Sequence, residues 1–161
     1  MSIVVGRSYH IKDEFFSLVN DENLMTNKDA GVYCPHLFFI ADPRVEGIYW
    51  AIPQSTRVKK YREIICHKIK KYGQCDTIVI GRFGGRESVF LIQNMFPVVE
   101  KYIDHEHTID GRSVRVHNRL AEAVVSCANK ILSLHRCGIK LVYPDIDRIY
   151  NLMKDELNQS I

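Results

Sequence analysis

The chain has 161 residues and a net charge of +3, and 46% of its residues are hydrophobic, 25% charged and 10% aromatic. This length and composition predict one globular domain over residues 1–161, and they exclude a disordered or disulfide-stapled chain. No apolar run is long enough for a signal-peptide core or a membrane span, so we expect a cytoplasmic protein with no membrane partner.

The first half of the chain predicts short strands and one short helix. Three apolar runs are typical of strands: IVV near residue 4, HLFFIA (36–41) and GIYWAI (47–52). The segment KDEFFSLVN (12–20) favours a helix. A proline and a glycine stand in DPRVEG, between the second and third runs, and they predict a hairpin there.

A longer helix is predicted over residues 58–72. Its apolar residues recur at spacings of three and four: Val58, Tyr61, Ile65, Ile69 and Tyr72. Gly73 follows directly and is a typical helix end.

The second half predicts another hairpin and two more helices. DTIVIG (76–81) and SVFLIQNMFPVV (88–99) are strand-like and are separated by RFGGRE, while RSVRV (112–116) would close the sheet. An apolar stripe from Leu120 to His135 predicts a helix, and another starts at Pro144. Hairpin-linked strands with separate helices predict an α+β domain: a compact, mostly antiparallel small β-barrel flanked by helices.

Positive charge concentrates in one segment. Between Arg57 and Lys71 seven cations stand against a single acid, Glu63, which gives 7 − 1 = +6, twice the charge of the whole chain. A basic face of this kind attracts phosphate backbones. A solvated helix face in a structural protein is the other interpretation.

The junction PQSTRVKKY places hydroxyl groups next to these cations. We expect Ser55 or Thr56 to be the N-cap of the helix that begins near Val58. The N–H groups of the first turn would then point at the same space as both hydroxyls, which suits a phosphate. Arg57, with Lys59 or Lys60, would add full charges to the same anion.

Hydroxyls and cations without a metal match one reaction class in particular. In RNA transesterification the substrate's own 2′-OH attacks, so the enzyme supplies only a base, an acid and charge stabilisation, and 2′,3′-cyclic phosphate ends result. Isolated acids argue against a two-metal nuclease. Cys34 and Cys66 each have a nearby histidine, but no CxxC or HxxxH spacing accompanies them, so we expect no metal and no cofactor. A Cys–His or Ser–His–Asp nucleophile stays open, since the chain has seven histidines.

Side chains elsewhere are candidates for holding RNA. Four aromatic residues are candidate stacking platforms, although aromatic residues on strands more often belong to the core: Tyr9, Tyr33, Trp50 and Tyr61. Gln93 and Asn94 interrupt an apolar strand and are candidates to read base edges, with at most one of them facing the RNA. Three arginines complete the set, the last two on the tip of the second hairpin: Arg62, Arg82 and Arg86.

The segments AIPQSTRVKKY and SVFLIQNMFPVVEKYI resemble the CptN/ToxN family of toxins from type III toxin–antitoxin systems, and the resemblance extends over nearly the whole chain. It implies a metal-independent endoribonuclease with a sequence preference, on a barrel related to that of the Kid/MazF-type toxins. It also implies an RNA antitoxin made of repeated pseudoknots. This RNA would inhibit the toxin, be processed by it, and form a closed protein–RNA complex with it.

The resemblance also implies roles for individual residues. The family's catalytic positions fall on Ser55, Thr56, Arg57, Lys60 and His36, with Lys59 as a neighbour, and Tyr9 matches an N-terminal tyrosine of the family. Relatives often have Ser-Ser-Lys where this chain has Ser-Thr-Arg, and an arginine keeps the charge without acting as a base. His36, Lys60 and Tyr61 remain the candidates for proton transfer. A module that binds structured RNA without cutting it is the alternative function.

Overall fold

The computed structural model describes residues 2–25 and 37–159, which contain nine strands and four helices. The strands are β1 (Ser8–Ile11), β2 (Leu37–Ala41), β3 (Ile48–Ser55), β4 (Ile78–Phe83), β5 (Arg86–Leu91), β6 (Phe96–Val99), β7 (Ile103–Glu106), β8 (Thr108–Ile109) and β9 (Arg112–Ser113). The helices are α1 (Asp13–Val19), α2 (Val58–Tyr72), α3 (Asn118–Arg136) and α4 (Ile146–Gln159). Within these ranges every helix is too short or too polar to span a bilayer.

Seven strands form one antiparallel sheet in the order β4-β5-β3-β2-β1-β7, and β6 also pairs with β3. Along one edge, β3 pairs with β6 over residues 48–51 and with β5 over residues 54–55. Pro53 lies between these two ladders, where β3 has no strand partner on that edge. A proline is tolerated at such a gap because it lacks the N–H that a continuous ladder requires.

The α+β class is confirmed, but a closed barrel is not. Among the described strands, β4 and β7 are the two ends of the sheet, and no ladder joins them. Both predicted hairpins are present, as β2–β3 and β4–β5. The predicted helices at residues 120–135 and after Pro144 are present as α3 and α4.

The sheet has a core on each face, and this explains the unbroken apolar run of β2. Alternate residues of β2 and β3 point to opposite faces, and both sets are buried. On one face they meet α1 and α4 in a core that includes Phe15, Phe39, Phe96, Ile149 and Met153. On the other face they meet α3 in a core that includes Phe38, Trp50, Phe90, Val124 and Ile131.

Three strand predictions differ from the structure. The first strand begins at Ser8 and not near residue 4, because Gly6 has a φ of 91° in a turn that precedes it. The segment 88–99 is interrupted by a 3₁₀ turn at Ile92–Asn94, where the chain crosses from the β5 ladder to the β6 ladder. The segment RSVRV does not close the sheet. Its first two residues, β9, pair with β8 in a separate ribbon.

Helix α2 has the predicted bounds but covers less apolar surface than its sequence pattern indicates. Gly73 ends it with a φ of 82°, and its N–H donates to the Ile69 carbonyl at 2.8 Å. No residue of α2 is buried. Its first half packs on a small cluster from β4 and β5, whereas Ile69 and Tyr72 remain 48% and 65% exposed.

Candidate functional site

The turn between β3 and α2 consists of Thr56 and Arg57. The Ser55 Oγ accepts a hydrogen bond from the N–H of Arg57 at 3.2 Å, and the N–H of Val58 donates to the Thr56 carbonyl at 2.9 Å. Arg57 is therefore the N-cap residue, and in the described part of the chain no side chain caps α2. The prediction of Ser55 or Thr56 as the N-cap is wrong, because the tight turn places the Ser55 hydroxyl against an N–H that precedes the helix.

The first turn of α2 retains unused hydrogen-bond donors. Among the residues described, the N–H groups of Lys59 and Lys60 have no acceptor, and the first turn contains no acidic residue. The Thr56 side chain is exposed beside them. With no side-chain cap and no first-turn acid among the residues described, the partial positive charge of this helix end favours an anion.

A shallow depression of about 590 Å³ lies at this turn and is lined by Thr56, Arg57, Val58, Lys59, Lys60 and Glu63. Its three cations and single acid give 3 − 1 = +2. Because the depression is shallow and open to solvent, a phosphate group of an extended backbone can reach it without threading.

Most of the cations on α2 are available to an anion. Arg62 forms an ion pair with Glu87, and Lys68 donates to the neutral side chains of Thr77 and Gln93 at 2.9 Å. The others have no carboxylate partner within the described ranges: Arg57, Lys59, Lys60, Lys70 and Lys71. The charge of this helix is therefore turned mainly toward solvent.

Tyr61 lies one turn into α2 and is half-buried. Burial raises the pKa of Tyr61, the charge of Arg57 opposes this, and Tyr143 raises the pKa further. The phenol is therefore protonated at neutral pH, which permits proton donation and disfavours a role as base. Lys60 Nζ lies 5.3 Å from the centre of the Tyr61 ring.

Arg82 and Arg86 flank the β4–β5 turn, but they belong to the strands and not to the loop tip. Arg82 is the cross-strand partner of Glu87, and Arg86 is the partner of Phe83. Both arginines are exposed. Because Glu87 also binds Arg62, this hairpin lies alongside α2 and extends its charged surface.

Gln93 and Asn94 lie in the 3₁₀ turn, so the alternation expected of a strand does not apply. Gln93 is buried; its Oε1 accepts from Lys68, and its carbonyl accepts from the N–H of Tyr143 at 2.9 Å. Its side chain therefore joins parts of the protein. Asn94 is half-buried.

Tyr9 and Trp50 are core residues in this structure. Tyr9 is 1% exposed, its hydroxyl accepts from the N–H of Val4, and its ring packs on Phe39. Trp50 is 2% exposed and donates to the buried Asp42. Neither ring is accessible to a nucleobase. Tyr33 and His36 lie outside the described residues, although Leu37, which follows His36, pairs with Pro53.

A group of three histidines was missed by sequence reasoning. His10 Nε2 lies 3.0 Å from His107 Nδ1, and the His10 ring stacks on His105 with centroids 4.4 Å apart. Burial, followed by the charges of His105 and His107, lowers the pKa of His10 to about 4. The HEH spacing at 105–107 could have revealed the group, because alternate residues of an extended segment face the same side.

This histidine group is connected to the end of β3. Ser8 lies two residues before His10 on β1, and its Oγ accepts from Gln54 Nε2 at 3.0 Å. Gln54 directly precedes Ser55. Within residues 2–25 and 37–159, no set of three or more histidine, cysteine or acidic side chains is arranged to hold a metal ion.

Comparisons with known proteins add no family assignment. The sequence matches no protein-family model and no curated protein at a significant level.

Proposed function

We propose that this protein is a metal-independent endoribonuclease, the toxin of a type III toxin–antitoxin system. One observation supports it most: an uncapped helix N-terminus with open N–H donors begins the segment of charge +6 and lies beside two hydroxyl residues. The sequence resemblance to CptN/ToxN toxins supports the same activity. It also supports a relation of the open sheet to the Kid/MazF-type barrel.

In the proposed reaction the scissile phosphate of RNA binds at the first turn of α2. The N–H groups of Lys59 and Lys60 and the Thr56 hydroxyl donate to its non-bridging oxygens, while Arg57 and Lys60 stabilise the negative charge of the phosphorane. The substrate's 2′ oxygen forms a bond to phosphorus and gives its proton to a base, for which His36 is the candidate. The bond to the 5′ oxygen breaks, and that oxygen takes a proton, for which protonated Tyr61 is the candidate donor.

The proposed partners are both RNA molecules. Cellular RNA is the substrate, and an antitoxin of repeated pseudoknots would bind the same basic surface and close a protein–RNA complex around it. A polyanion suits this surface because six of the seven cations between Arg57 and Lys71 have no carboxylate partner among the described residues. Cytoplasmic location follows from these substrates.

Cleavage in the presence of EDTA tests the activity. Purified protein incubated with total cellular RNA and EDTA should yield fragments that end in 2′,3′-cyclic phosphate. Thr56→Ala should cleave more slowly than wild type, because it removes a proposed donor to the phosphate. Its matched control is Thr108→Ala, which changes an exposed threonine on β8 and should cleave like wild type. A strict requirement for a divalent metal would contradict the mechanism.

A non-catalytic RNA-binding module is the second candidate. It is favoured by two observations: the Ser55 hydroxyl already accepts from the N–H of Arg57, and no described residue lining the depression is a histidine. Tight RNA binding by the wild type without any cleavage product, under all conditions in which the protein is folded, would establish this candidate.

A further inference from the structure

A second cavity, of about 410 Å³, lies between the C-terminal half of α2 and the segment that connects α3 to α4. We call it the Lys68 cavity and define it by Lys68, Tyr72, Thr77, Lys140, Leu141 and Tyr143, which line it. Its volume is within the range of small-ligand sites. None of its residues takes part in the reaction proposed above.

Lys68 supplies a charge without a counter-charge in this cavity. The half-buried Lys68 Nζ donates to Thr77 Oγ1 and Gln93 Oε1, both at 2.9 Å, and both acceptors are neutral and buried. Among the described residues no carboxylate pairs with Lys68. Asp76 also lines the cavity, but it binds Lys130 at 2.6 Å. An ammonium group has three donors, so one remains for an anion.

Two exposed tyrosines line the same cavity. Tyr72 on α2 is 65% exposed, and Tyr143 on the facing segment is 56% exposed. The N–H of Tyr143 donates to the carbonyl of Gln93, the residue whose side chain holds Lys68. Gln93 therefore positions both the ammonium group of Lys68 and the backbone of Tyr143 in this cavity. Exposed aromatic rings beside cations are typical of sites that stack unpaired nucleobases.

The cavity and the phosphate site lie at opposite ends of α2, and Arg57 of the depression shares a helix face with Lys68 and Tyr72. Arg57, Tyr61, Lys68 and Tyr72 follow one another at spacings of four, seven and four residues, which places them on one stripe. From Val58 to Lys68 the helix rises about 15 Å, a length that a few nucleotides of single-stranded RNA can span.

We propose that the Lys68 cavity is a nucleotide subsite for single-stranded RNA. An unpaired base stacks on Tyr72 and Tyr143, and Lys68 with Lys140 holds the adjacent phosphate. The inference rests on the proposed function, because the RNA is the strand whose scissile phosphate lies at the first turn of α2. A protein partner is disfavoured, since lysines are depleted from protein interfaces and Lys68, Lys71 and Lys140 concentrate here.

Binding of an uncleavable RNA tests the subsite independently of catalysis. We would measure fluorescence anisotropy with labelled 2′-O-methyl oligouridylate and oligoadenylate of roughly twelve nucleotides. Tyr143→Leu should weaken binding about five- to fifty-fold, and Tyr143→Phe should restore it, because stacking needs the ring and not the hydroxyl. Tyr143 is exposed, so its variants should fold normally.

The salt dependence of binding separates a ligand role of Lys68 from a structural one. Lys68→Gln should lower the slope of log K against log salt by about 0.7, the value for one phosphate contact on a single strand. Lys154→Gln, an equal change of charge on the distant helix α4, should leave the slope unchanged. Thermal melting of each variant controls for folding.

The outcomes distinguish the subsite from the proposed function. If the wild type binds and cleaves RNA while Tyr143→Leu, Tyr72→Leu and Lys68→Gln bind with unchanged affinity and salt slope, the subsite is wrong and the endoribonuclease stands. If the wild type binds neither oligonucleotide and cuts no RNA, both proposals fail. Loss of affinity in the tyrosine variants, with the control Thr108→Ala still binding normally, supports the subsite.

Discussion

Helices α2 and α3 are both amphipathic, yet they meet the rest of the protein in different ways. α3 has four buried residues, Val124, Ala128, Ile131 and Leu132, and its N-terminus is capped by His117, whose ring accepts the N–H of Arg119 at 3.3 Å. α2 has no buried residue and no side-chain cap within the described residues, and it carries most of the local positive charge. The comparison indicates that α3 stabilises the fold, whereas α2 offers its charge and its open end to a ligand.

Truncating a core residue of α3 should have the largest effect on stability. Leu132→Ala removes side-chain atoms from the core under the sheet and should lower the free energy of unfolding by about 2–5 kcal/mol. Ile69→Ala on α2 is the control, because its side chain is 48% exposed, and it should change this free energy by no more than about 0.5 kcal/mol. Urea denaturation measures both. Equal losses of unfolding free energy in the two variants would contradict the proposed difference between the helices.

Removing a cation at the first turn of α2 should affect cleavage rather than folding. Arg57→Ala takes a full charge from the developing phosphorane and should slow RNA cleavage about a hundredfold. Lys70→Ala, on the same helix but outside the depression, should cleave within about threefold of wild type, as expected for a single screened surface charge. Thermal midpoints of both should match wild type. A large loss of cleavage rate in Lys70→Ala but not in Arg57→Ala would contradict a site at this turn.

Acid should destabilise the protein through the histidine group and not through α2. An unfolded histidine binds a proton near pH 6.5, but His10 does so only near pH 4 when folded. Between these values the unfolded state binds more protons, so the free energy of unfolding should fall as pH drops from about 6.5 to about 4, and His10 should contribute no slope above that window. Urea midpoints across this range should show a weaker pH dependence in His10→Gln. An unchanged dependence would contradict the burial of His10.

The smallest effect is expected at the exposed ion pair between α2 and the β4–β5 hairpin. Glu87→Gln breaks its pairing with Arg62 and should change the free energy of unfolding by less than about 1 kcal/mol, because both side chains are solvated. It also frees Arg62, so RNA binding should become slightly tighter at low salt. Glu122→Gln is the control, because it makes the same change of charge at an exposed glutamate on α3. Ser88, the neighbour of Glu87, is buried and is therefore unsuitable as a control position.

Helices and hairpins were predicted well where the spacing of apolar residues or the turn residues were clear. The bounds of α2 and its end at Gly73 follow from spacing and from one glycine, and both hairpins follow from their turn residues. The open edges of the sheet could not be predicted, because strand order depends on how β3 divides its edge between β5 and β6. Pro53, which marks that division, reads in the sequence as an ordinary strand end.

The candidate site was predicted in composition but not in detail. The hydroxyls and cations at residues 55–60 lie together because they are adjacent in the chain. The roles of Tyr9 and Gln93 could not be predicted, because their burial depends on Phe39 and Lys68, partners distant in sequence. The same is true of the histidine group, which joins His10 to residues almost a hundred positions later.

Single-turnover cleavage by the double variant Ser55→Ala/Thr56→Ala tests the central claim most directly. The measurement compares its cleavage rate in EDTA, and its affinity for a 2′-O-methyl version of the same RNA, with those of the wild type. The account predicts cyclic phosphate products from the wild type, and for the variant an affinity within about threefold but a rate at least about a hundredfold lower. Undiminished cleavage by a folded variant, or no metal-free cleavage by the wild type, would contradict it.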